Sequence, residues 1–489
     1  MSASASGQDE FFGMRVPEAF ARKARRMRAR YARKYGFDES ARYLLRAVVN
    51  PTLGPVLGVQ NVVNAETGEP LDADTGVIVS TIRMGYGHYR MGIALASAAH
   101  ALGRTPYWFD LLAFDSPGAR MIRDLDYWYS LGSRISQRSR IFNRFVWDPL
   151  MGNAYRPLLK NYPIREVCAI FRDVYRELPP DMPILGTHPW CAHGAVHAGL
   201  RNVVNTVPDN WPLGFHLAEG ALNTVQSPSA YFRFRTLKGM GLRGGTAGLL
   251  PASALRLTGH YIDHELVSNI EADCASRMKR MSEKRPPRLL LSVGGAGAQQ
   301  ALLAEIMCYL LPRIQDGSVT VFLNLGDHER IWRYLVAHVP GLEAGAVLHT
   351  SWDQNAAIAS QAVTGDVTGL HAFLARDTFA AVYTTNLLMR GADVLLTKPS
   401  ELAYYPIPKL FLERVGGHEA WGAVRGSELG DGTPECAGPA ETMETLEAIL
   451  SGCDLLSMFC EHILKLKAQG VYDGAYRAVE AALEKRKRV

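Results

Sequence analysis

The stretch that most constrains the fold runs from Arg288 to Gln299. An apolar run, Leu289-Leu290-Leu291 with Val293, breaks into Gly294-Gly295-Ala296-Gly297-Ala298-Gln299, and a helical pattern begins at Ala301. Glycines at 294, 295 and 297 let the backbone turn sharply and come close to a ligand, because no Cβ stands in the way. Such a turn leaves the first helical N–H groups unpaired and aimed outward, where they and the helix dipole favour phosphate oxygens. The strand-helix turn of any α/β domain reads the same way, so its function depends on what else the chain holds.

A second opening of this kind lies earlier. Val77-Ile78-Val79-Ser80-Thr81 suits a buried parallel strand. It ends in Met84-Gly85-Tyr86-Gly87-His88, and an Ala-rich helix follows from Tyr89 to Leu102 before the strand Thr105–Phe109. This βαβ order implies a right-handed crossover and a parallel sheet. The glycine spacing departs from a dinucleotide fingerprint, since Arg90 stands where the third glycine belongs. Strands at Ile184–Thr187, Val203–Val207, Leu222–Gln226 and Leu255–Thr258 also end in polar or glycine turns, among them His188-Pro189-Trp190 and Pro208-Asp209-Asn210-Trp211.

A helical linker, Asp263 to Lys284, leads to Pro286-Pro287, a plausible boundary. Strands then read at Arg288–Val293, Val319–Asn324, Val347–Thr350, Val394–Thr397 and Lys409–Leu412, with a helix near Ala380–Met389 and further helices from Glu441 onward. The expected fold is α/β, two Rossmann-like domains facing each other across a cleft. The expected division is an N-terminal extension over 1–75, a first Rossmann-like domain over 76–262, a second over 263–465, and a terminal helix over 466–489 returning to the first domain. Ligands of open α/β sheets bind at the carboxyl ends of the strands, where these turns fall.

Composition narrows the function. With 47% hydrophobic and 21% charged residues in 489, the chain reads as a soluble globular protein of at least two domains. No apolar run approaches the roughly 18–20 residues of a membrane span. Seven cysteines lack paired spacing, which predicts neither zinc site nor disulfide framework and fits a reducing, cytoplasmic setting. Asp72-Ala73-Asp74 has a metal-binding spacing but precedes its strand instead of following it, so no metal is expected.

The formal net charge is +5, yet residues 1–35 alone hold nine Arg or Lys against three Asp or Glu. The rest of the chain is close to neutral, which argues against nucleic-acid binding. From Pro17 to Tyr35 a helix is expected, with Phe20, Ala24, Met27, Tyr31 and Tyr35 as a narrow apolar stripe in a basic surround. Two readings are open: an interfacial helix on an anionic membrane surface, or a helix docked on its own protein with a solvated basic face.

A third turn adds specificity. Ala392-Asp393-Val394-Leu395-Leu396-Thr397-Lys398-Pro399-Ser400-Glu401 reads as a buried strand ending in a charged turn, followed by Gly416-Gly417-His418-Glu419. Taken together, residues 76–470 resemble the two-domain glycosyltransferases of the GT-B fold that include monogalactosyldiacylglycerol synthases and the N-acetylglucosaminyltransferase of peptidoglycan lipid intermediates. Gly85-Tyr86-Gly87-His88 resembles the family's N-terminal Gly-Gly-His turn. His188-Pro189, Thr258-Gly259 and Ser292 to Ala298 follow in the family's order. Asp393 to Glu401 resembles its Thr-Lys-Pro-Gly-Gly…Glu stretch, and His418-Glu419 its Gln/His-Glu turn.

The resemblance implies transfer of a hexose from a nucleotide diphosphate sugar, with inversion, to a lipid or other hydrophobic acceptor. The donor is a substrate, and no cofactor is implied. The donor side would comprise Gly294, Gly295, Ala296, Gly297, Ala298 and Gln299 at the diphosphate, Glu401 at the ribose, and Thr397, Lys398, Ser400, His418 and Glu419 around them. Lys398 could neutralise charge on the leaving phosphate. His88, with a reference pKa near 6.5, can take the acceptor's proton at neutral pH, or could serve as a phosphate ligand. Asp115 falls in the segment matching the family's acceptor-side carboxylate and is the second candidate base; Asp209 is a third. Gly85, Gly87 and His188 complete the expected binding set. The chain departs from the family at Ser400, which replaces paired glycines in a turn about four residues shorter, and at Tyr86 between its first glycines. These departures leave a nucleotide-sugar epimerase and a non-catalytic nucleotide-sugar binder as alternatives. A lipid acceptor and the basic helix over 17–35 would together place the protein at the cytoplasmic face of a membrane.

Overall fold

The computed structural model describes residues 9–139, 141, 145–146, 154–208, 210–295, 297, 299–451 and 453–487. The chain forms two compact units. One holds the chain up to Met84, Ala98–Thr258 and the residues from Tyr476 on; the other holds Gly85–Ser97 and Gly259–Ala475.

In the first unit a short hairpin, β1 (Glu10–Phe11) and β2 (Met14–Arg15), precedes a helix over Glu18–Tyr35. The strands that follow are β3 (Leu45–Val49), β4 (Gln60–Asn64), β5 (Gly76–Thr81), β6 (Thr105–Asp110), β7 (Ile184–Gly186), β8 (Val203–Thr206), β9 (Leu222–Val225) and β10 (Leu255–Leu257). They form one sheet in the order β10-β9-β8-β7-β5-β6-β4-β3. All neighbours are parallel except the β3–β4 hairpin, which lies within the stretch 1–75 expected to be an N-terminal extension. Every residue of β5 is buried, as a strand covered on both faces requires.

The N-terminal helix packs its stripe onto this unit. Ala21, Ala24 and Tyr35 are buried, while Phe20, Met27 and Tyr31 rest against two apolar clusters of the same unit. Gly36 ends the helix in the left-handed region at φ 68°, and Lys34 pairs with Asp124 at 2.7 Å. The docked reading of the stripe therefore describes the helix, and its cations face outward.

The second unit carries β11 (Arg288–Ser292), β12 (Thr320–Gly326), β13 (Ala346–His349), β14 (Leu370–Leu374), β15 (Val394–Thr397), β16 (Lys409–Phe411) and β17 (Gly432–Glu435), in the order β13-β14-β12-β11-β15-β16-β17. All six pairings are parallel. Two strands were not anticipated: β14, whose Leu-His-Ala-Phe-Leu mixes polar and apolar residues, and β17, whose Pro434 is tolerated because the strand is at the sheet's edge. Helices Gln300–Gln315, Glu329–His338 and Pro439–Ser451 help to bury one continuous apolar cluster against the sheet.

Buried charges in this unit are matched. Arg280 meets Asp393 at 2.5 Å, and Arg277 donates to the carbonyls of Ala392 and Met389 at the end of the helix Thr378–Gly391, where its charge also suits the helix dipole. Both units are Rossmann-like, with parallel sheets whose order reverses at one place. Among the described residues, no helix is long and apolar enough to cross a membrane.

Candidate functional site

The strand order locates the places where ligands fit. In the second sheet the chain leaves β11 on one side towards β12 and returns on the other side at β15. The crevice outside the carboxyl ends of β11 and β15 is the topological switch point. The first turn there is Gly294 to Gln299, and the second is Lys398 to Glu401. They touch: a Cβ built on Gly294 would lie 2.9 Å from Cε of Lys398, whose side chain lies across the turn.

The glycine turn is closed by a hydrogen bond from Gly297 N to Gly294 O at 2.8 Å. Gly297 has φ +59° and Gln299, which caps the helix Gln300–Gln315, has φ 66°, so two left-handed residues aim the helix N-terminus at the crevice. His328, at the end of β12, holds the turn from the side, with Nε2 3.1 Å from Gly294 O.

Lys398 is ion-paired with Glu419, which is buried and also accepts from the backbone N–H groups of Val415 at 2.8 Å and Gly416 at 3.3 Å. A carboxylate satisfied by two backbone donors and an ammonium is strongly fixed. Thr397 is buried at the end of β15, and Ser400 caps the short 3-10 turn Glu401–Tyr404 by backbone geometry alone.

The segment Gly85–Ser97 belongs to this same unit, and three of its residues hold it there. Tyr86 Oη donates to Asp327 Oδ1 and accepts from Asp327 N at 2.9 Å, with its ring 5.7 Å from that of His328. Gly295 and Gly326 make room for Tyr86, since a Cβ on either would lie 2.4 Å from one of its atoms. Gly87 lies against Glu401: its Cβ would fall 2.0 Å from Oε1 of that carboxylate. Arg90 is buried and donates to Asn386 Oδ1, and Asn386 Nδ2 in turn donates to Asp263 Oδ1 at 3.0 Å. Burial pushes the Asp263 carboxyl up to about 7. His88 sits half-buried in the first turn of the helix Gly87–Ala101, between Tyr86 and Arg90. The positive φ of Gly85, +79°, allows the strand-to-helix turn.

The switch point of the first sheet lies between β5 and β7. There Thr187 Oγ1 donates to Thr81 Oγ1 at 2.9 Å. His188, next in the chain, is buried and caps the helix Pro189–His197, its Nδ1 accepting from Trp190 N at 3.1 Å. Asp115 is 88% exposed at its side chain and pairs with Arg120 at 2.9 Å, just before Ser116 caps the helix Pro117–Arg138.

The structure thus brings Gly294, Gly295, Gly297, Lys398, Glu401, Glu419, Gly85 and Gly87 into one connected set. His188 and Asp115 belong to the first unit. Asp209, Ala296 and Ala298 lie outside the described residues, and His418 falls in the short 3-10 turn Gly417–Glu419. Sequence reading missed Asp327, Asn386 and Asp263, and noted Tyr86 and Arg90 only as departures from glycine patterns. Among the described residues, no group of three or more His, Cys, Asp or Glu could hold a metal ion.

Residues 10–236 match the family described as domain of unknown function DUF6937, and residues 250–483 match domain of unknown function DUF6938. A search of the curated proteins finds no match. Among solved structures, the chain is similar to UDP-GlcNAc 2-epimerase from Neisseria meningitidis bound to UDP-GlcNAc, at 10% identity and TM-score 0.45 over 85% of this chain and 100% of that chain. It is similar to glycosyltransferase VinC in complex with DTDP, at 12% identity and TM-score 0.40 over 85% and 100%. A third is the trehalose-6-phosphate structure from E. coli bound with UDP-2-fluoro glucose, at 11% identity and TM-score 0.39 over 85% and 99%.

Proposed function

We propose that this chain is a glycosyltransferase that moves a hexose from a nucleotide diphosphate sugar, with inversion, to a lipid or other hydrophobic acceptor. The observation that carries the reading is the contact of Lys398 with the Gly294 turn at the switch point of the second sheet. A cation beside outward N–H groups at a helix N-terminus is the chemistry a diphosphate needs. In the proposed reaction the bond from the anomeric carbon to the phosphate oxygen breaks as the acceptor oxygen attacks from the opposite face. His88 takes the acceptor's proton, and Lys398 offsets the charge left on the nucleoside diphosphate. Glu401 would hold the ribose hydroxyls as a bidentate acceptor.

The acceptor is the less anchored half of the proposal. Its support is the exposed aromatic pair Tyr127 and Trp128 on the helix Pro117–Arg138, which packs beside the cationic N-terminal helix through Lys34 and Asp124. A non-catalytic nucleotide-sugar binder is the second reading. It is favoured by Lys398 being engaged with Glu419 and by Glu401 lying on Gly87, both of which would have to rearrange for catalysis.

Calorimetry across nucleoside diphosphates and their sugars tests the donor site. The preferred nucleotide should raise the melting temperature as a native-state ligand does. Lys398→Ala and Glu401→Ala should each weaken its binding by about 1.5–3 kcal/mol, the scale of hydrogen bonds to charged groups. Binding that both variants leave unchanged would overturn the assignment. Binding without turnover on any hydrophobic acceptor would favour the second reading.

A further inference from the structure

The first turn of the helix Gly87–Ala101 is held by Tyr89, buried with its ring 5.4 Å from that of Phe379, and by one polar anchor, Arg90. Arg90 is 4% exposed, a burial that a guanidinium tolerates only with its donors satisfied. It donates to Asn386 Oδ1 and to Val382 O, the latter at 3.5 Å, and its guanidinium carbon lies 5.8 Å from the centre of the Tyr405 ring. Asn386 is 1% exposed and could face Arg90 with either its oxygen or its nitrogen. Asp263 decides this: Oδ1 of that fully buried carboxyl accepts from Asn386 Nδ2 at 3.0 Å, which turns the amide oxygen towards Arg90. The second carboxyl oxygen of Asp263 has no hydrogen-bond partner among the described residues. Asp263, Asn386 and Arg90 therefore form a one-way chain of donors and acceptors that ends on the turn bearing His88.

We infer that Arg90, oriented through Asn386 by Asp263, is a positioning residue for His88. Tyr86 fixes the backbone two residues before His88 and Arg90 fixes it two residues after. The backbone that carries His88 is thus held on both sides of it. The functional weight of this anchor rests on the reading of His88 as the base. The anchor itself can be tested without substrate.

The experiment uses full-length protein labelled with 15N-histidine. Of the fourteen histidines, the His88 imidazole is the one whose signals vanish in His88→Gln. In Asn386→Ala the His88 signals should shift and broaden, while those of the buried His349–His371 pair, 3.0 Å apart in β13 and β14, stay in place. A general loss of stability would not move one native-state signal selectively. Arg90→Lys keeps the charge without the fork of donors and should move His88 in the same way, so it decides the matter if Asn386→Ala does not fold. Unmoved His88 signals in a folded Asn386→Ala or Arg90→Lys protein would overturn the inference. Undiminished sugar transfer by His88→Gln would instead overturn the base reading and leave the anchor standing.

Discussion

At the scale of single residues, Gly87 lies close against the carboxylate of Glu401. A methyl group there would overlap the carboxylate where it now lies, so the Glu401 side chain would have to swing aside. Gly87→Ala should cost about 1 kcal/mol, the low end of the overpacking penalty because a flexible side chain can yield, read as a lowered melting temperature. In a Glu401→Ala background the same substitution should cost much less, because the obstacle is gone. Additive costs in that double-mutant cycle would show that the two residues do not meet. Glycine turns were legible in the sequence because a glycine's effect is local. What each glycine makes room for was not legible. Tyr86 and Asp327 are 241 positions apart and Arg90 and Asn386 are 296 apart, so no spacing rule joins them. Arg90 offered one signal, a cation inside an apolar helix, which reads from sequence as a broken motif.

At the scale of elements, parallel strands such as β5, β11 and β15 announced themselves as short apolar runs ending in polar turns, since both faces of such a strand are covered. β14 escaped because His371 interrupts its run. That histidine is buried, where its Nδ1 meets Nε2 of His349. Asp263, the residue just before the short helix His264–Val267, carries a testable pH dependence. Its folded carboxyl titrates at about 7, above the roughly 3.9 of an unfolded aspartate. The folded state then holds the proton more tightly, so this group's contribution is full below about pH 4 and is lost as pH rises towards 7. Asp263→Asn should flatten that slope, gaining on the parent by at most about 1.4 kcal/mol per pH unit across the window. Melting curves at several pH values decide it: parallel profiles for parent and variant would show that Asp263 ionises as an ordinary carboxylate.

At the scale of the whole molecule, the N-terminal helix joins stability to charge. Arg25, Arg28 and Lys34 have acidic partners, whereas among the described residues no side-chain hydrogen bond or ion pair involves Arg22, Lys23, Arg26, Arg30 or Arg33. Those five cations could add up to about 1 kcal/mol each near an anionic bilayer. The protein should therefore sediment with anionic vesicles at low ionic strength and be released near about 0.5 M salt, where screening shortens to a few ångströms. Replacing the five with glutamine should abolish sedimentation and leave melting unchanged. Full-length protein that ignores such vesicles would remove the membrane from the proposal. Deleting residues 1–35 is a different experiment, because it also strips Ala21, Ala24 and Tyr35 from the core. It should lower the melting temperature by about 2–4 °C for each kcal/mol lost in a unit of this size.

The docked helix has a mechanical consequence. A charged tail on a flexible leash can hold a protein near a surface in any attitude, and its only contribution is local concentration. Here the cations are bolted to the first unit, since the residues between them are part of its core and Gly36 ends the helix where Arg120 binds the carbonyl of Tyr35. Whatever anionic surface this face meets is met by the unit as a rigid keel, with Tyr127 and Trp128 at a fixed bearing from the charges. Any such contact selects an orientation as well as a location.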